Sequence, residues 1–484
     1  MKGNAVGHLF AFLVLGLVLA PIAKNFAQES PQAPAPEVTA DAGSPASASP
    51  AAAGPFSRHA DPIVLKGEQV PEFAGAKEDE LRVYARRGGR LEPIPYQMDE
   101  RNQWGEFIVL KGKRVVPDED KGAFDDNDEI VFLTRDLGEK TDKTQVPGGP
   151  KKVYEVEVTD PLTPARGYAY VAMYVGGAPP KSPVDYVQYL EEGEGLAKAT
   201  NYELGFLKVT SGLDFNHVVV TKAAGGDGVN HLDKSKVRVM QNIKRGFTLG
   251  IPTRLDRNEK NFLVKVYGYK DGPVRALRVM KVNLQLIWKL PAPGATVNSV
   301  FYPEWMEWPV PINLPFKPTW AFYNIELDVS NDFAFKPTDG ALFYTSSYPG
   351  HWMSVDGKMS PEETAWNKED ATGAYYGVVL GEGAGFTTVR PPKSFATTIL
   401  GLYRDDPESG VEPEYYKGDG RIKNRPEWIK GAMPLVGTRF INWGTVGRGI
   451  HTVYWYAFFP PHYKPGAEKG FLDIIDHPVT VAVN

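Results

Sequence analysis

The stretch "KVYEVEVTDPLTPARGYAYVAMYVGG", residues Lys152–Gly177, contains two runs of alternating side chains separated by Pro and Gly. In the first run, Tyr154, Val156 and Val158 alternate with glutamates, a period of two that is typical of a strand with one buried face. The second run, Tyr168–Val175, is rich in aromatic and small apolar residues and ends at a Gly pair. The stretch therefore predicts two β-strands bounded by turn residues.

Strands of the same kind recur almost to the end of the chain. Runs of branched and aromatic residues lie between Gly, Pro, Asn and Asp, and the 49 Gly and 41 Pro leave little room for long helices. The pattern predicts an all-β protein built of sandwiches rather than a barrel. Short helices are expected at three places: Pro183–Glu192, Ser360–Trp366 and Arg425–Gly431.

A change of composition between residues 176 and 199, where "GGAPPKSP" is followed by "EEGEG", predicts a domain boundary. We expect an N-terminal β-sandwich domain over 59–190 and a larger, supersandwich-like C-terminal domain over 191–484. The chain has no internal repeat of fixed period, which disfavours propellers and solenoids.

The first residues have the pattern of an export signal. Lys2 precedes the apolar run "HLFAFLVLGLVLA", which has signal-peptide length, and cleavage after Ala27 predicts a signal peptide over 1–27. An uncleaved anchor is the alternative, because Asn25 stands where a small residue is preferred. Residues 28–58, rich in Pro, Ala and Ser, are expected to form a disordered linker. No later segment reaches the roughly 20 apolar residues of a membrane helix, so we expect an exported protein, periplasmic or extracellular.

Composition excludes several classes of function. The chain has no cysteine, which removes disulfides, thiol catalysis and cysteine-ligated metals, and its net charge of −5 does not favour nucleic acid as a partner. The histidines are scattered without zinc-site spacing, and "GEGAGF" fits neither a phosphate loop nor a dinucleotide motif. Nucleotide and zinc chemistry are therefore not expected.

The acidic stretch "AFDDNDEIVFLTRDLG", which begins at Ala123, invites comparison with a calcium loop. Asp125, Asn127 and Glu129 stand at ligand spacing, but Ile130 occupies the position that an EF-hand-like loop gives to glycine. The alternative is a turn in which Asp and Asn side chains accept hydrogen bonds from backbone amides ahead of a buried strand. The sequence favours the turn over calcium and over a catalytic acid cluster.

This stretch and "LEPIPYQMDE" (Leu91–Glu100) together resemble a family of uncharacterised exported bacterial and archaeal proteins with an "IPxQxDE" strand followed by "FDxNDExVF". Some of these resemble families encoded near polysaccharide-degrading enzymes, with β-sandwich folds like those of galactose mutarotases and certain lyases. The resemblance implies the fold and brings no catalytic residue with it. It also implies that an arginine such as Arg275 would neutralise the carboxylate of a uronic acid.

The aromatic, Pro-rich run Val300–Asn324 has the most unusual composition of the chain. Its prolines predict a long structured loop or an edge segment rather than a central strand. Exposed faces of Trp305 and Trp308 would stack on sugar rings, and Glu304 would accept hydroxyl hydrogens. The alternative is that the aromatic side chains plug the end of a sandwich or join two domains.

The loop of "ALFYTSSYPGHWMS" (Ala341–Ser354) brings Tyr348, His351 and Trp352 close together in sequence. A tyrosine and a histidine serve as acid and base in lyases that act on a sugar, and a tryptophan can floor a binding groove. A lone loop histidine that only makes hydrogen bonds is the alternative.

Three functions are consistent with these features. The first is a non-catalytic exported protein that binds a glycan, such as a polysaccharide, or another cell-envelope component through aromatic loops. The second is a carbohydrate-active enzyme, of lyase or epimerase type, that uses Tyr348 and His351 as an acid–base pair. The third is a structural partner in an envelope complex. No cofactor is expected apart from the calcium alternative, and whether the protein is an enzyme stays open.

Overall fold

A computed structural model of the protein describes residues 56–113, 122–207, 212–284, 294–333, 338, 340–405 and 434–484. The predicted signal peptide, most of the linker and the helix expected at Arg425–Gly431 lie outside these residues. Every strand pairing in the described part of the chain is antiparallel, and the sheets stack in sandwiches, so the all-β prediction is confirmed. None of the helices in the described ranges combines the length and the apolar character needed to span a bilayer.

The N-terminal domain is a sandwich of two sheets. A three-stranded sheet contains, in spatial order, β1 (Pro62–Lys66), β5 (Glu129–Leu133) and β4 (Gln97–Asp99). A five-stranded sheet contains β26 (Thr480–Val483), β6 (Lys152–Thr159), β7 (Arg166–Met173), β2 (Leu81–Arg87) and β3 (Arg90–Pro93). The predicted strands of Lys152–Gly177 are β6 and β7, and they pair with each other.

Residues 56–58 and 480–483 extend this domain beyond the boundaries expected from sequence. The last strand, β26, pairs with β6, so residues 480–483 complete the N-terminal sheet rather than the C-terminal domain. At the other end, Phe56 packs against the N-terminal core and Arg58 pairs with Asp61 and Asp160. Residues 56–58, which we expected to belong to the linker, are therefore part of the folded domain.

The C-terminal domain is a larger sandwich whose two main sheets enclose the largest core cluster. Its nine-stranded sheet contains, in spatial order, β14 (Phe262–Lys270), β15 (Ala276–Leu284), β16 (Ala295–Phe301), β17 (Trp305–Leu314), β25 (Gly449–Phe458), β22 (Gly383–Arg390), β21 (Tyr375–Leu380), β19 (Leu342–Thr345) and β20 (Trp352–Ser354). The facing five-stranded sheet contains β13 (Thr253–Arg257), β12 (Leu232–Ile243), β18 (Phe322–Phe333), β24 (Leu435–Ile441) and β23 (Thr398–Arg404).

A four-stranded sheet contributes to the same core. It contains β11 (His217–Val220), β10 (Tyr202–Gly205), β9 (Leu196–Ala199) and β8 (Val187–Leu190). The helix predicted at Pro183–Glu192 was wrong, because this segment forms β8, which pairs with β9. Its apolar residues Val187 and Tyr189 are two apart and face the core as in a strand.

Three short α-helices have bounds within the described ranges, alongside several single-turn 3-10 helices: α1 (Pro318–Ala321), α2 (Pro361–Trp366) and α3 (Glu468–Asp476). The helix predicted at Ser360–Trp366 is confirmed as α2. Ser360 caps it by accepting a hydrogen bond from the Glu363 amide at 3.2 Å, and the Glu363 carboxylate accepts one from the Ser360 amide at 2.6 Å.

The Pro-rich aromatic segment contains strand β17, so the predicted loop was wrong, whereas the alternative of an edge segment fits the half of β17 that carries Pro309 and Pro311. All ten residues of β17 pair with β25, whereas β16 pairs only with Met306 and Glu307. Pro309 and Pro311 follow this short pairing, where β17 has a partner strand on one side only. A sheet accepts proline at such a position, because no hydrogen bond to a neighbour is lost.

Candidate functional site

Strand β5, from the acidic motif, is buried on both faces at the boundary between the two domains. Ile130 and Phe132 face the core of the N-terminal sandwich, whereas Val131 and Leu133 face a second core shared with the nine-stranded sheet. That second core includes Val300, Trp305 and Phe458 of the sheet and Phe471 and Ile474 of α3. We call the face of the nine-stranded sheet that bears these residues the outer face.

The two motifs that resemble the family pattern meet at Arg275 on this boundary. The Gln97 side chain accepts a hydrogen bond from the Arg275 amide at 2.8 Å and donates to Asp99 at 2.8 Å. The Arg275 guanidinium lies 2.8 Å from the Asp99 carboxylate and 2.5 Å from Glu129, and it donates to the Tyr302 hydroxyl at 3.1 Å. The motif residues therefore join the domains.

Charge balance holds this cluster together. Asp99 is fully buried, which by itself raises its pKa, but Lys270 and Arg275 hold the pKa of this carboxyl below its ordinary value. Because Arg275 is only 4% exposed and bonds to protein groups, a sugar carboxylate cannot reach it. Arg275 thus pairs with residues at the domain boundary, whereas the resemblance implied that it would bind the carboxylate of a uronic acid.

The residues of the acidic turn also bond to the protein. The Asp125 carboxylate accepts a hydrogen bond from the Asn127 amide at 2.9 Å, which is the turn that the sequence favoured. Arg101 and Arg275 pair with opposite oxygens of Glu129, at 2.7 and 2.5 Å. Within the described ranges, no three His, Asp or Glu side chains gather closely enough to hold a metal ion. Calcium at this turn stays a prediction for a direct binding measurement.

The predicted aromatic platform is buried. Trp305 and Trp308 are 3% and 8% exposed, and Trp305 stacks on Tyr302 with ring centroids 4.3 Å apart. Glu304 pairs with Arg135 and lies 3.0 Å from the His59 imidazole. Trp305 plugs the space between the sheet and the N-terminal domain, which is the alternative that the sequence left open. Trp308 faces the core between the two main sheets of the C-terminal domain, so neither tryptophan offers a free face to a sugar.

The predicted Tyr–His pair lies in a surface turn between β19 and β20, where the His351 amide donates to the Tyr348 carbonyl. The His351 imidazole is exposed and lies 3.7 Å from Glu362, and burial together with Glu369 raises the pKa of Tyr348. Carboxylates at this turn would repel a uronate. Trp352 is half-buried and packs on Tyr344, with ring centroids 4.7 Å apart.

One part of the outer face is covered only partly. Glu307 of β17 is opposite Tyr456 of β25, and Tyr454 of β25 is opposite Arg390 of β22, so all four side chains point to the same face. All four are half-buried. We call Glu307, Arg390, Tyr454 and Tyr456 the outer-face strip.

The two tyrosine rings of the outer-face strip lie nearly parallel. Their centroids are 6.0 Å apart with an interplanar angle of 9°, and the Tyr456 ring continues the row to Phe458 at 6.3 Å. Arg390 borders the row and lies 3.3 Å from Asp476 at the end of α3. The strip is thus an aromatic row with an acid on one side and a base on the other.

The environment of Glu307 changes its acidity. Burial raises the pKa of Glu307, and this outweighs the opposite effect of Arg275 and Arg101; the nearby Glu129 adds to the rise. Burial and the Glu307 charge also raise the pKa of Tyr454. The carboxyl of Glu307 therefore keeps its proton to a higher pH than that of an ordinary glutamate. It can donate a hydrogen bond when protonated and only accept hydrogen bonds when ionised.

A turn of the N-terminal domain contacts the large sheet at β16. Glu106 accepts a hydrogen bond from the Thr296 hydroxyl of β16 at 2.9 Å, which fixes the turn over 102–106 above the outer face. Trp104 in that turn is 58% exposed. On β16, the side-chain oxygen of Asn298 is buried with no hydrogen-bond partner among the described atoms.

The outer-face strip was missed at the sequence level, although one signal was present. In "HTVYWYAFF" the residues Tyr454, Tyr456 and Phe458 recur with period two, which places three aromatic rings on one face of a strand. The place of Glu307 opposite Tyr456 depends on a pairing between segments far apart in sequence.

Comparisons with known proteins give little sequence similarity. No family model matches the chain, and no curated protein is similar to it. Among solved structures, an α-mannosidase from Enterococcus faecalis V583 is similar with a TM-score of 0.39 and 10% identity over 89% of this chain and 45% of that chain. A protein in the glycosyl hydrolase family 38 from Enterococcus faecalis has a TM-score of 0.39 and 8% identity over 89% of this chain and 46% of that chain. The chain thus spans less than half the length of either structure.

Proposed function

We propose that this protein is an exported, non-catalytic glycan-binding protein and that the outer-face strip is its binding surface. The N-terminal signal pattern supports export to the periplasm or beyond the cell. A glycan of the cell envelope is the partner whose chemistry fits the strip. Its sugar rings present C–H groups to the tyrosine faces, and its hydroxyls bond to the carboxylate and the guanidinium.

The observation that carries this proposal is the stacked pair Tyr454 and Tyr456 in register with Glu307. Sugar recognition needs an aromatic face and directional hydrogen-bonding groups side by side, and here neighbouring strands supply both. Because the residues are on paired strands rather than on loops, their geometry is fixed before a ligand arrives, which lowers the entropic cost of binding.

The surroundings of Glu307 favour binding over hydrolysis. A glycosidase normally uses two carboxylates about 5–9.5 Å apart on either side of the scissile bond. Glu129, the neighbouring carboxylate, is held by Arg101 and Arg275 and cannot act as the second group. Tyr348 and His351, the alternative acid–base pair, lie in a surface turn among carboxylates.

The test is a glycan array followed by calorimetric titration of the chain lacking the predicted signal peptide. We expect Tyr454→Ala to weaken glycan affinity about 2- to 10-fold, because one stacking face is lost. Tyr323→Ala is the matched control, since Tyr323 is 65% exposed on β18 of the facing sheet and should leave affinity unchanged.

Two outcomes would count against the proposal. If folded Tyr454→Ala and Glu307→Gln variants both bind the glycan as tightly as the parent protein, the strip is not the binding surface. If incubation with the bound polysaccharide releases new reducing ends or unsaturated products, the protein is an enzyme and not a simple binder.

A further inference from the structure

A cavity of about 140 Å³ lies between the nine-stranded and the five-stranded sheets of the C-terminal domain, on the side of the large sheet opposite to the outer face. Residues of β12 and β18 form one wall, and residues of β17, β21, β22 and β25 form the other. The β10–β11 hairpin and the loop that follows it close one end. We call this space the sandwich cavity.

Most of its wall is apolar. Side chains that alternate toward the interior of the sandwich line it, among them Val237, Val329, Val378, Val436 and Met306. Lys236 also borders the cavity, but it alternates with Val237 to the other face of β12, and its ammonium lies 2.7 Å from Asp332. The wall therefore favours an uncharged molecule, because a buried charge without a partner is strongly disfavoured.

Two polar atoms in this apolar wall have no partner among the described atoms. They are the indole Nε1–H groups of Trp308 and Trp455, which are both 8% exposed and both line the cavity. These residues are directly opposite each other on β17 and β25, so their side chains extend from adjacent points of the sheet. Buried donors are rarely left unpaired in native structures.

Two tryptophans elsewhere in the fold show the usual arrangement, whereas the indole of Trp366, buried outside the cavity, also lacks a partner among the described atoms. Trp305 donates from Nε1 to the Ala60 carbonyl at 2.9 Å, and Trp443 donates to the Phe440 carbonyl at 3.3 Å. The hydroxyl of Ser235, which borders the same cavity, already accepts a hydrogen bond from the Phe215 amide at 2.8 Å. The two indoles thus provide donors that the protein itself does not use.

The cavity reaches the surface at one end. Asp227, which is exposed, and His231 border it and pair with each other at 3.0 Å beside Gly226. A ligand can enter past this pair without the two sheets separating. The mouth is thus polar and the interior apolar, as is common for small-molecule sites.

From these observations we propose that the sandwich cavity binds a small, uncharged, mainly apolar molecule that carries a hydrogen-bond acceptor oxygen. Its size is set by the cavity, since an engineered protein cavity of roughly 150 Å³ holds benzene. An aromatic or alicyclic carbonyl compound meets both requirements: the ring fills the apolar space and the oxygen accepts from one or both indoles. This site lies on the other side of the large sheet from the side chains of the outer-face strip, although Tyr456 also borders the cavity, and it does not depend on glycan binding.

The test compares two probes of nearly equal shape, acetophenone and ethylbenzene, titrated into the chain lacking the predicted signal peptide. We expect acetophenone to bind roughly 3- to 10-fold more tightly, because only its oxygen accepts an indole hydrogen bond. Spectra of the protein with ¹⁵N-labelled tryptophan should show downfield shifts of the Trp308 or Trp455 indole proton with acetophenone and not with ethylbenzene.

Trp308→Phe and Trp455→Phe remove one donor each and should reduce the preference for acetophenone. The preference is measured as the ratio of the two affinities, because the space that the smaller side chain leaves affects both probes alike. Trp443→Phe is the matched control, since Trp443 is buried outside the cavity and its indole is already bonded. Equal affinities for both probes, or no binding of either, would overturn the proposal. So would an unchanged preference in both cavity variants. If a variant does not fold, the indole shifts of the parent protein still decide the question.

Discussion

Arg275, in the turn before β15, and Glu129 of β5 form an ion pair between the two domains. The guanidinium nitrogen lies 2.5 Å from the carboxylate oxygen, and both side chains are almost fully buried. Asp99 binds the same guanidinium at 2.8 Å, so one arginine balances two carboxylates from the N-terminal domain. Removing the arginine would leave buried Asp99 with Lys270 alone and buried Glu129 with Arg101 alone, which is far more unfavourable than losing a surface pair.

Arg275→Met should therefore lower the free energy of unfolding by about 3–5 kcal/mol, measured by urea denaturation. The control is Arg254→Ala, which removes a pair with Asp256 whose side chains are 40% and 49% exposed, and which should change stability by less than about 1 kcal/mol. Similar losses in the two variants would contradict the role given to Arg275.

Glycan binding should depend on pH through Glu307. Burial raises the pKa of Glu307, so its carboxylate forms at a higher pH than in an exposed glutamate. Because a carboxylate accepts stronger hydrogen bonds from hydroxyls than a neutral acid does, affinity should rise with pH through this titration. Glu307→Gln should bind with little pH dependence and about 10-fold more weakly at pH 8, measured by calorimetry. Parallel pH profiles of the parent and variant would exclude Glu307 from the site.

Stability should fall with rising pH because of Asp405. Burial raises the pKa of Asp405 to about 7, although the backbone amides of Asp356 and Gly357 donate to it at 2.6 and 3.0 Å. An unfolded aspartate titrates at about 3.9, so between these values the folded protein holds a proton that the unfolded chain has lost. The free energy of unfolding therefore decreases as pH rises through this window.

Asp405→Asn keeps an acceptor for these amides and does not titrate. Relative to the parent protein, it should gain stability between pH 4 and pH 8, by a few kcal/mol at most, since one pKa unit corresponds to about 1.4 kcal/mol. Denaturant titrations at several pH values measure this difference. A constant offset between the two proteins across the range would contradict the raised pKa.

Gly401 of β23 is expected to tolerate no side chain. A Cβ atom there would lie 2.5 Å from ring carbons of Trp366, which is fully buried in α2. Gly401→Ala should lower the free energy of unfolding by about 1–3 kcal/mol, because neither ring nor strand has room to move. Gly444→Ala, where a Cβ would meet nothing within 4 Å, serves as control in the same thermal or denaturant measurement.

Much of the fold could be predicted from local sequence. Period-two alternation identified β6 and β7, and the short helix expected at Ser360–Trp366 is α2. The errors arose where tertiary context decides. Over a run as short as β8, Val187 and Tyr189 fit the period of a helix as well as that of a strand. Pro309 is tolerated in β17 because the pairing with β16 stops before it.

The candidate sites could not be predicted in the same way. The outer-face strip depends on the register of β17 against β25 and β22, which no local pattern encodes. The sequence left open whether Trp305 and Trp308 form an exposed platform or a buried plug. Burial depends on what packs above a strand, here the N-terminal domain on one face and the facing sheet on the other.

The pairing of β26 with β6 gives this protein an unusual order of assembly. Thr480 and Thr159 make contact although 321 positions separate them in the chain. The N-terminal sheet consequently cannot be completed until residues 480–483 have been synthesised and are free to pair with β6. A chain that is still being synthesised or exported would keep the edge of β6 unpaired throughout. A product truncated before residue 480 would expose that edge to other strands, which would make it prone to aggregation and cleavage.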